Sequence, residues 1–508
     1  MRSLVTGKQM KEVDRYTIEE LGIPSLVLME RAALKVAEEV MRKAQKTDVI
    51  WALCGSGNNG ADGIAAARIL HLKGYEVRAV LAGDKNKGTE EYLTQVSIAE
   101  KTGVCLVQFS ELIPEKCDIL IDALFGVGLD REILGPYREA LDTLAGCRPG
   151  FTVAVDIPSG IHSDTGQVMG AALKADVTVT FGWEKLGTVL YPGKEYAGKV
   201  AVADIGFPQV SLEEAGTGYF TMELGDEALV PERPDYSHKG DFGKVLVAAG
   251  SKGMSGAAFL SALAAYRTGA GLVRIFTPEE NRAVLQTELP EAIITTYSTR
   301  EASFGTERFS EIVKEQCEWA EAIVLGPGLG REDYVKNLVE EVLENAYVPI
   351  ILDADGLGAV AANPELTGYF TENIIITPHI GEMARLTGSS AEIIRKNLIS
   401  TAREYADRFG ITCVLKDAVT VGALKDQRTY VNTSGNSSMA KAGSGDVLTG
   451  MIAGLLAQGL EESEAAALGI WLHGRAGDSV REKRGAYSLL ARELAEELQT
   501  ILQEQTRK

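Results

Sequence analysis

The chain has 508 residues, 45% apolar and 24% charged, and its 71 acidic against 51 basic side chains leave a net charge of −20. That length exceeds what one hydrophobic core serves and predicts two domains. The charge excludes long nucleic acids and anionic membranes as main partners, while a small anion held by backbone N–H groups stays allowed. With no low-complexity tract and no 18-residue apolar run, the composition predicts a folded globular protein without a membrane span. The six cysteines (54, 105, 117, 147, 317 and 413) stand singly with no C-x-x-C pair, which predicts reduced thiols and a cytoplasmic location.

Met1-Arg2-Ser3-Leu4-Val5-Thr6 lacks an apolar signal region and leads into a helix, with Thr6 and Gln9 spaced as a capping box. Strands and helices then alternate over about 200 residues, which predicts an α/β domain with a mostly parallel, Rossmann-like sheet covered on both faces. Its clearest strands are 49–54, 76–81, 118–122, 151–156 and 175–181, with helical patterns at 64–73 and 90–102.

The first strand runs into Gly55-Ser56-Gly57-Asn58-Asn59-Gly60-Ala61-Asp62-Gly63. Gly55, Gly57 and Gly60 satisfy G-x-G-x-x-G, and Asp84 stands near where a ribose-binding acid belongs, so a hydride-transferring dehydrogenase is one reading. Asn58, Asn59 and Asp62 are polar groups that a plain pyrophosphate turn does not need. Later strand ends carry Asp122 and then Asp156-Ile157-Pro158-Ser159-Gly160. Asn59, Asp122 and Ser159 offer oxygens suited to a hard cation, leaving Asp156 free for proton transfer.

From 207 to 234 the periodicity weakens, and Pro208, Pro231 and Pro234 with Gly216, Gly218 and Gly225 mark a connecting region. A second series of strands follows at 244–249, 272–277, 322–325, 350–352 and 374–376, with late strands at 412–416 and 420–423. Ligands in open α/β sheets bind beyond the carboxyl ends of strands. There the chain places Gly250-Ser251-Lys252-Gly253, Gly326-Pro327-Gly328-Leu329-Gly330, Asp353-Ala354-Asp355-Gly356, Thr377-Pro378-His379-Ile380-Gly381-Glu382 and Gly443-Ser444-Gly445-Asp446. The last precedes Val447, Leu448, Met451, Ile452, Leu455 and Leu456, one face of a helix starting at or near Asp446. A glycine turn at a helix N-terminus suits phosphate, and an adjacent carboxylate can act as base on a hydroxyl. An ordinary capped turn is the plainer reading of those four residues.

With Gly22-Ile23-Pro24-Ser25-Leu26-Val27-Leu28-Met29-Glu30-Arg31-Ala32, the first-half motifs resemble the NAD(P)HX epimerase domain of NAD(P)H-hydrate repair enzymes, over residues 1–215. After a connecting region at 216–234, residues 235–508 resemble the ribokinase-like superfamily, most closely its ADP-dependent NAD(P)H-hydrate dehydratase branch; TPHxGE with GSGD carries that likeness. The resemblance implies two activities. One interconverts the R and S epimers at C6 of hydrated NADH or NADPH; the other dehydrates the S form at the expense of ADP, with magnesium.

In the epimerase half it implies substrate contacts at Asn58, Asn59, Gly60, Ala61, Asp62, Gly126, Val127, Gly128, Leu129, Asp130, Arg131, Glu132 and Asp156. Potassium would lie at Asn59, Asp122 and Ser159. In the dehydratase half it implies Asp446 as base, Ala258, Gly328 and His379 against the hydrated cofactor, and Lys416, Asp417, Ala418, Val419, Thr420 and Gly445 against the nucleotide. Two positions depart from the family pattern. Ala61 replaces a glycine of NNGGDG, adding a methyl expected to narrow the loop, and Asp417 replaces the glycine of KGAxT beside the expected phosphates. A homo-oligomer is the expected assembly. The competing reading is a ribokinase-type kinase of a small vitamin-precursor alcohol, with a non-catalytic ligand-binding N-terminal half.

Overall fold

The computed structural model describes residues 1–84, 86–113 and 116–505, so residues 85, 114, 115 and 506–508 of the two expected domains lie outside the description. The chain forms two compact units, residues 3–219 and residues 1–2 with 220–508.

Helix α1 (Gly7–Arg15) opens the first unit with the expected capping box: Thr6 Oγ1 accepts from the Gln9 N–H at 3.1 Å and Gln9 Oε1 from the Thr6 N–H at 2.9 Å. Helix α2 (Ser25–Met41) follows and buries Leu28, Met29, Ala32 and Val36. The sheet holds β1 (Val49–Cys54), β2 (Glu76–Leu81), β3 (Cys105–Gln108), β4 (Ile119–Ala123), β5 (Phe151–Val155), β6 (Val177–Phe181) and β7 (Lys199–Ala203). Its order is β3-β2-β1-β4-β5-β6-β7, every pair parallel. The order reverses between β1 and β4, so a crevice opens beyond their carboxyl ends. Helix α3 (Asn58–Leu72) begins there, directly after the glycine turn. Gly55 sits where a Cβ would lie 2.1 Å from the Leu124 carbonyl oxygen, so only glycine lets the ends of β1 and β4 approach this closely.

The second unit repeats the principle on a larger sheet. Nine of its strands are β8 (Lys244–Ala248), β9 (Leu272–Pro278), β10 (Ile293–Tyr297), β11 (Ala322–Leu325), β12 (Ile350–Leu352), β13 (Ile374–Ile376), β14 (Thr412–Leu415), β15 (Val421–Ala423) and β16 (Thr429–Val431). They run β10-β9-β8-β11-β12-β13-β14-β15-β16, parallel as far as β14 and antiparallel beyond it. Helices α4 (Ser255–Thr268) and α5 (Ser444–Ala457) pack at backbone distance: a Cβ on Gly450 would lie 2.1 Å from the Ser261 carbonyl oxygen. The region read as a connection contains a helix, Gln209–Ala215, between Pro208 and Gly216, and the units divide after residue 219. Seven residues are too few for the helical period to stand out.

Among the described residues no helix is long and apolar enough to cross a membrane.

Candidate functional site

In the first unit a cavity of about 520 Å³ lies at the β1/β4 crevice, within the size range of small-molecule sites. The glycine turn and α3 supply Asn58, Asn59 and Asp62; the loop after β4 supplies Gly126, Val127, Gly128, Leu129, Asp130 and Arg131; the end of β5 supplies Asp156. Leu28, Met29 and Ala32 of α2 form an apolar wall, which places the Gly22–Ala32 motif at the same site. A Cβ on Gly126 would lie 3.2 Å from the Asn59 amide, so the two loops touch.

Three expected contact residues do not line the cavity: Gly60, Ala61 and Glu132. Gly60 is fitted against Gly55, whose carbonyl oxygen a Cβ would meet at 1.8 Å. The Ala61 methyl is fully buried within the core that α2 and α3 share with the sheet. Asp84, the candidate ribose acid, is also absent from the cavity; it is exposed and accepts from the Asn86 N–H at 3.0 Å, which removes the acid that the dehydrogenase reading needs.

Asp156 is not a free carboxylate. Its backbone is left-handed at φ +67°, and Oδ1 accepts from Lys185 Nζ at 2.5 Å, the Phe181 N–H at 3.1 Å and Thr180 Oγ1 at 3.3 Å. Lys185 is fully buried, and its Nζ also donates to Thr180 Oγ1 at 3.0 Å and the Phe181 carbonyl at 2.9 Å. A buried carboxylate needs a counter-ion, and Lys185 supplies it. The lysine is held by a short parallel pairing, Leu4 with Glu184 and Val5 with Lys185. Two further carboxyls share the cavity. Burial, then Asp156, pushes Asp14 up to about 6 and Asp62 well above the usual carboxylate range.

Asp14 and Lys185 escaped the sequence reading, although a signal existed for each. Asp14 follows Met10 by one helical turn on the apolar face of α1, and Lys185 lies in an otherwise apolar stretch from Phe181 to Leu186 broken only by Glu184.

Of the three expected cation positions, Asp122 and Ser159 are buried and hydrogen-bonded to each other, and half-buried Asn59 lies against Gly126 of the loop after β4. Asp122 Oδ2 accepts from the Ser159 N–H at 2.8 Å, and Ser159 Oγ accepts from the Phe125 N–H at 2.9 Å. Asp122 Oδ1 and Asn59 Nδ2 are buried with no partner. Burial pushes Asp122 up to about 6, against the Ser159 hydrogen bonds that lower it. An orphaned carboxylate oxygen suits a hard cation, and turning the Asn59 amide by half a turn would offer a second oxygen.

In the second unit, Gly443 (φ +90°) caps α5, so the N–H groups of the first turn face outward from the glycine turn. A Cβ on Gly445 would lie 3.2 Å from Lys416 Nζ and 3.6 Å from Asp353 Oδ2, which brings three strand-end loops together. Lys416 Nζ pairs with Asp353 Oδ1 at 2.8 Å, and the Lys416 N–H donates to the Pro378 carbonyl at 2.8 Å. Asp446, half-buried in the first turn of α5, is pushed up to about 6 by burial, then by Asp353, with Asp355 and Glu382 adding to the effect and Lys416 opposing it.

His379 caps helix α6 (Ile380–Thr387): Nδ1 accepts from the Gly381 and Glu382 N–H groups at 2.9 and 3.2 Å, and Glu382 Oε2 accepts from the His379 N–H at 2.8 Å. The ring stays exposed, so capping leaves a face open to a ligand. Gly328 takes φ +63°, and a Cβ there would meet Ala257 at 2.8 Å. Ala258 is fully buried, with its methyl in the core rather than on an open surface. Along the nucleotide segment Asp417 and Ala418 are exposed, Val419 is buried and Thr420 half-buried. The Asp417 carboxylate therefore reaches solvent, which relieves its conflict with phosphate. Lys441 is exposed and reaches the Tyr487 carbonyl at 3.3 Å. One supporting residue escaped the sequence reading: His473, whose Nε2 lies 3.2 Å from Ser444 Oγ and which burial holds down at about 4, neutral at physiological pH.

A family model described as NAD(P)H-hydrate dehydratase matches residues 245–500, and one described as YjeF-related protein N-terminus matches residues 25–187. Relatives named bifunctional NAD(P)H-hydrate repair enzyme Nnr include that of Thermofilum pendens, 37% identical over 98% of this chain and 98% of the relative. That of Moorella thermoacetica is 37% identical over 98% of this chain and 96% of the relative. A crystal structure of an ADP/ATP-dependent NAD(P)H-hydrate dehydratase from Bacillus subtilis, co-crystallized with ATP and Mg2+, is 33% identical over 55% of this chain and 95% of that one, with a TM-score of 0.47.

Proposed function

Because the chain belongs to the bifunctional NAD(P)H-hydrate repair enzymes, we propose that it restores hydrated NADH and NADPH by two reactions. Its first unit interconverts the R and S epimers at C6, and its second converts the S form to NADH or NADPH, turning ADP into AMP and phosphate. Asp446 carries the second assignment: a half-buried carboxyl beside a glycine turn at a helix N-terminus, with Lys416 and Asp353 alongside.

The C6 hydroxyl gives its proton to Asp446 as its oxygen attacks the terminal phosphoryl group of ADP, and AMP leaves. N–H groups of the Gly443–Gly445 turn stabilise charge on the transferring group. The ring nitrogen's lone pair then expels phosphate from C6, and loss of a C5 proton restores the double bond. Gly328 and His379, with Ala258 behind them, would bound the hydrated ring; Lys416 to Thr420 and Gly445 would bound the nucleotide. Magnesium arriving on the nucleotide phosphates would meet Asp353 and Asp355, and it supplies charge neutralisation there. Since Asp446 acts as a base only when ionised, dehydration is expected to rise with pH through about 6 and then level off, read from kcat at saturating substrates.

In the first unit, Asn59, Asp122 and Ser159 would hold potassium, which supplies a fixed positive charge near an anionic substrate. The thermal midpoint of this unit is expected to be higher in potassium chloride than in tetramethylammonium chloride of equal ionic strength, and Asp122→Asn to remove the difference. A cytoplasmic location accords with six free cysteines.

The deciding assay supplies each epimer separately with ADP and magnesium. Regained absorbance of reduced nicotinamide from both epimers is the expected result. A stable phosphorylated alcohol would support the kinase reading instead, and an R epimer left unconsumed while S is consumed would remove the epimerase assignment.

A further inference from the structure

Hydrated NADH is a hemiaminal at C6, where the hydroxyl and the ring nitrogen share one carbon. Epimerising it without losing water requires opening and reclosing the C6–N1 bond. Opening takes a proton from the hydroxyl and delivers one to N1, so the site needs a base and an acid together.

Among the carboxyls that line the first-unit cavity, Asp156 and Asp14 stand in contrasting surroundings. Asp156 Oδ1 is paired with Nζ of the fully buried Lys185 at 2.5 Å. Asp14 is half-buried on α1, lines the same cavity, and among the described residues has no hydrogen-bond or ion-pair partner. Carboxyls in one site whose environments differ in this way divide into base and acid. Unpaired and partly removed from water, Asp14 is favoured over Asp156 in the neutral, proton-donating form.

Building on the epimerase reading above, we propose that Asp14 is the catalytic acid that works opposite Asp156. Asp156 takes the C6 hydroxyl proton as the C6=O bond forms and the C6–N1 bond breaks; the bonding pair goes to N1, which takes the Asp14 proton. Rotation about C5–C6 turns the aldehyde. Reclosure on the other face returns the N1 proton to Asp14 and the Asp156 proton to oxygen. No oxidant, nucleotide or water is consumed, and both carboxyls regain their starting forms. The charged groups facing Asp14 are Asp156 and Lys185, Asp62 on α3 and Glu91, with Lys11, Asp130 and Arg131 lining the same cavity.

The test uses the full chain with R hydrate and no ADP, following the S hydrate by chromatography and subtracting spontaneous epimerisation. Asp14→Asn is expected to lose at least ~100-fold in epimerisation rate while leaving ADP-dependent dehydration of the S hydrate unchanged. The wild-type rate should fall as pH rises through about 6, because the acid must be protonated to act. Asp14→Glu should keep that limb with partial activity, and Asp14→Asn should lack it. A wild-type-like rate or an intact limb in Asp14→Asn would overturn the proposal. If the wild-type chain never converts the R hydrate, it is the epimerase reading that fails. Removing an unpaired, half-buried carboxyl should leave the thermal midpoint equal or higher. Should the asparagine variant unfold instead, loss of the pH limb in a folded Asp14→Glu would count against Asp14.

Discussion

Asp446→Asn is expected to lower kcat for ADP-dependent dehydration by about 10²- to 10⁴-fold, the range for loss of a positioned proton acceptor. Asparagine keeps the shape of the side chain and cannot take a proton at neutral pH. ADP should still bind, because the glycine turn and Lys416 are untouched, and isothermal calorimetry should return a Kd within a few-fold of wild type. The thermal midpoint should not drop. Asp446 stands among Asp353, Asp355 and Glu382, with Lys416 as the opposing charge, so removing one anion relieves repulsion. Unchanged turnover in this variant would remove Asp446 from the mechanism, whereas loss of nucleotide binding would make it a binding group.

Lys185→Met is the second large effect. Nζ donates to Asp156 Oδ1, Thr180 Oγ1 and the Phe181 carbonyl from a fully buried position, and methionine removes that donor from all three, leaving Asp156 Oδ1 only the Phe181 N–H and Thr180 Oγ1. Breaking a buried pair by removing one partner costs about 3–5 kcal/mol, chiefly because a charge is left buried and uncompensated. Denaturant titration should show that loss in the transition of the first unit, and epimerisation should disappear with it. The double variant Lys185→Met with Asp156→Asn should recover part of the stability, since no stranded charge remains, and none of the epimerase activity. Equal stability of the single variant and wild type would mean that Asp156 does not depend on the lysine.

Most strands could be read from apolar runs, because a parallel sheet covered on both faces makes its central strands continuously hydrophobic. The strands passed over include β3, β7 and β10, all at sheet edges and partly exposed, where the same rule leaves a weaker pattern. Site residues divide in a similar way. Asn58, Asn59, Asp62, Asp122, Asp156, Ser159 and Asp446 sit in glycine turns or at strand ends, where a polar residue stands out against an apolar run. His473 looked like any single histidine on a long helix, and nothing in its neighbourhood pointed to Ser444, 29 residues away.

Glycine spacing, strand-end acids and the joining of two α/β halves were therefore enough to carry the family resemblance that implied the chemistry, because those features are local and each turn carries its own conformational demand. Pairing across distance required the fold. Lys185 reaches Asp156 over 29 residues, and Lys416 reaches Asp353 over 63. Surroundings then separate one carboxyl from the next: Asp156 is paired with a buried lysine, while lost solvation raises Asp14 and Asp446 to about 6. Solvation and counter-ions belong to a position in space, so the division of these acids into bases and proton donors follows from packing rather than from their order along the chain.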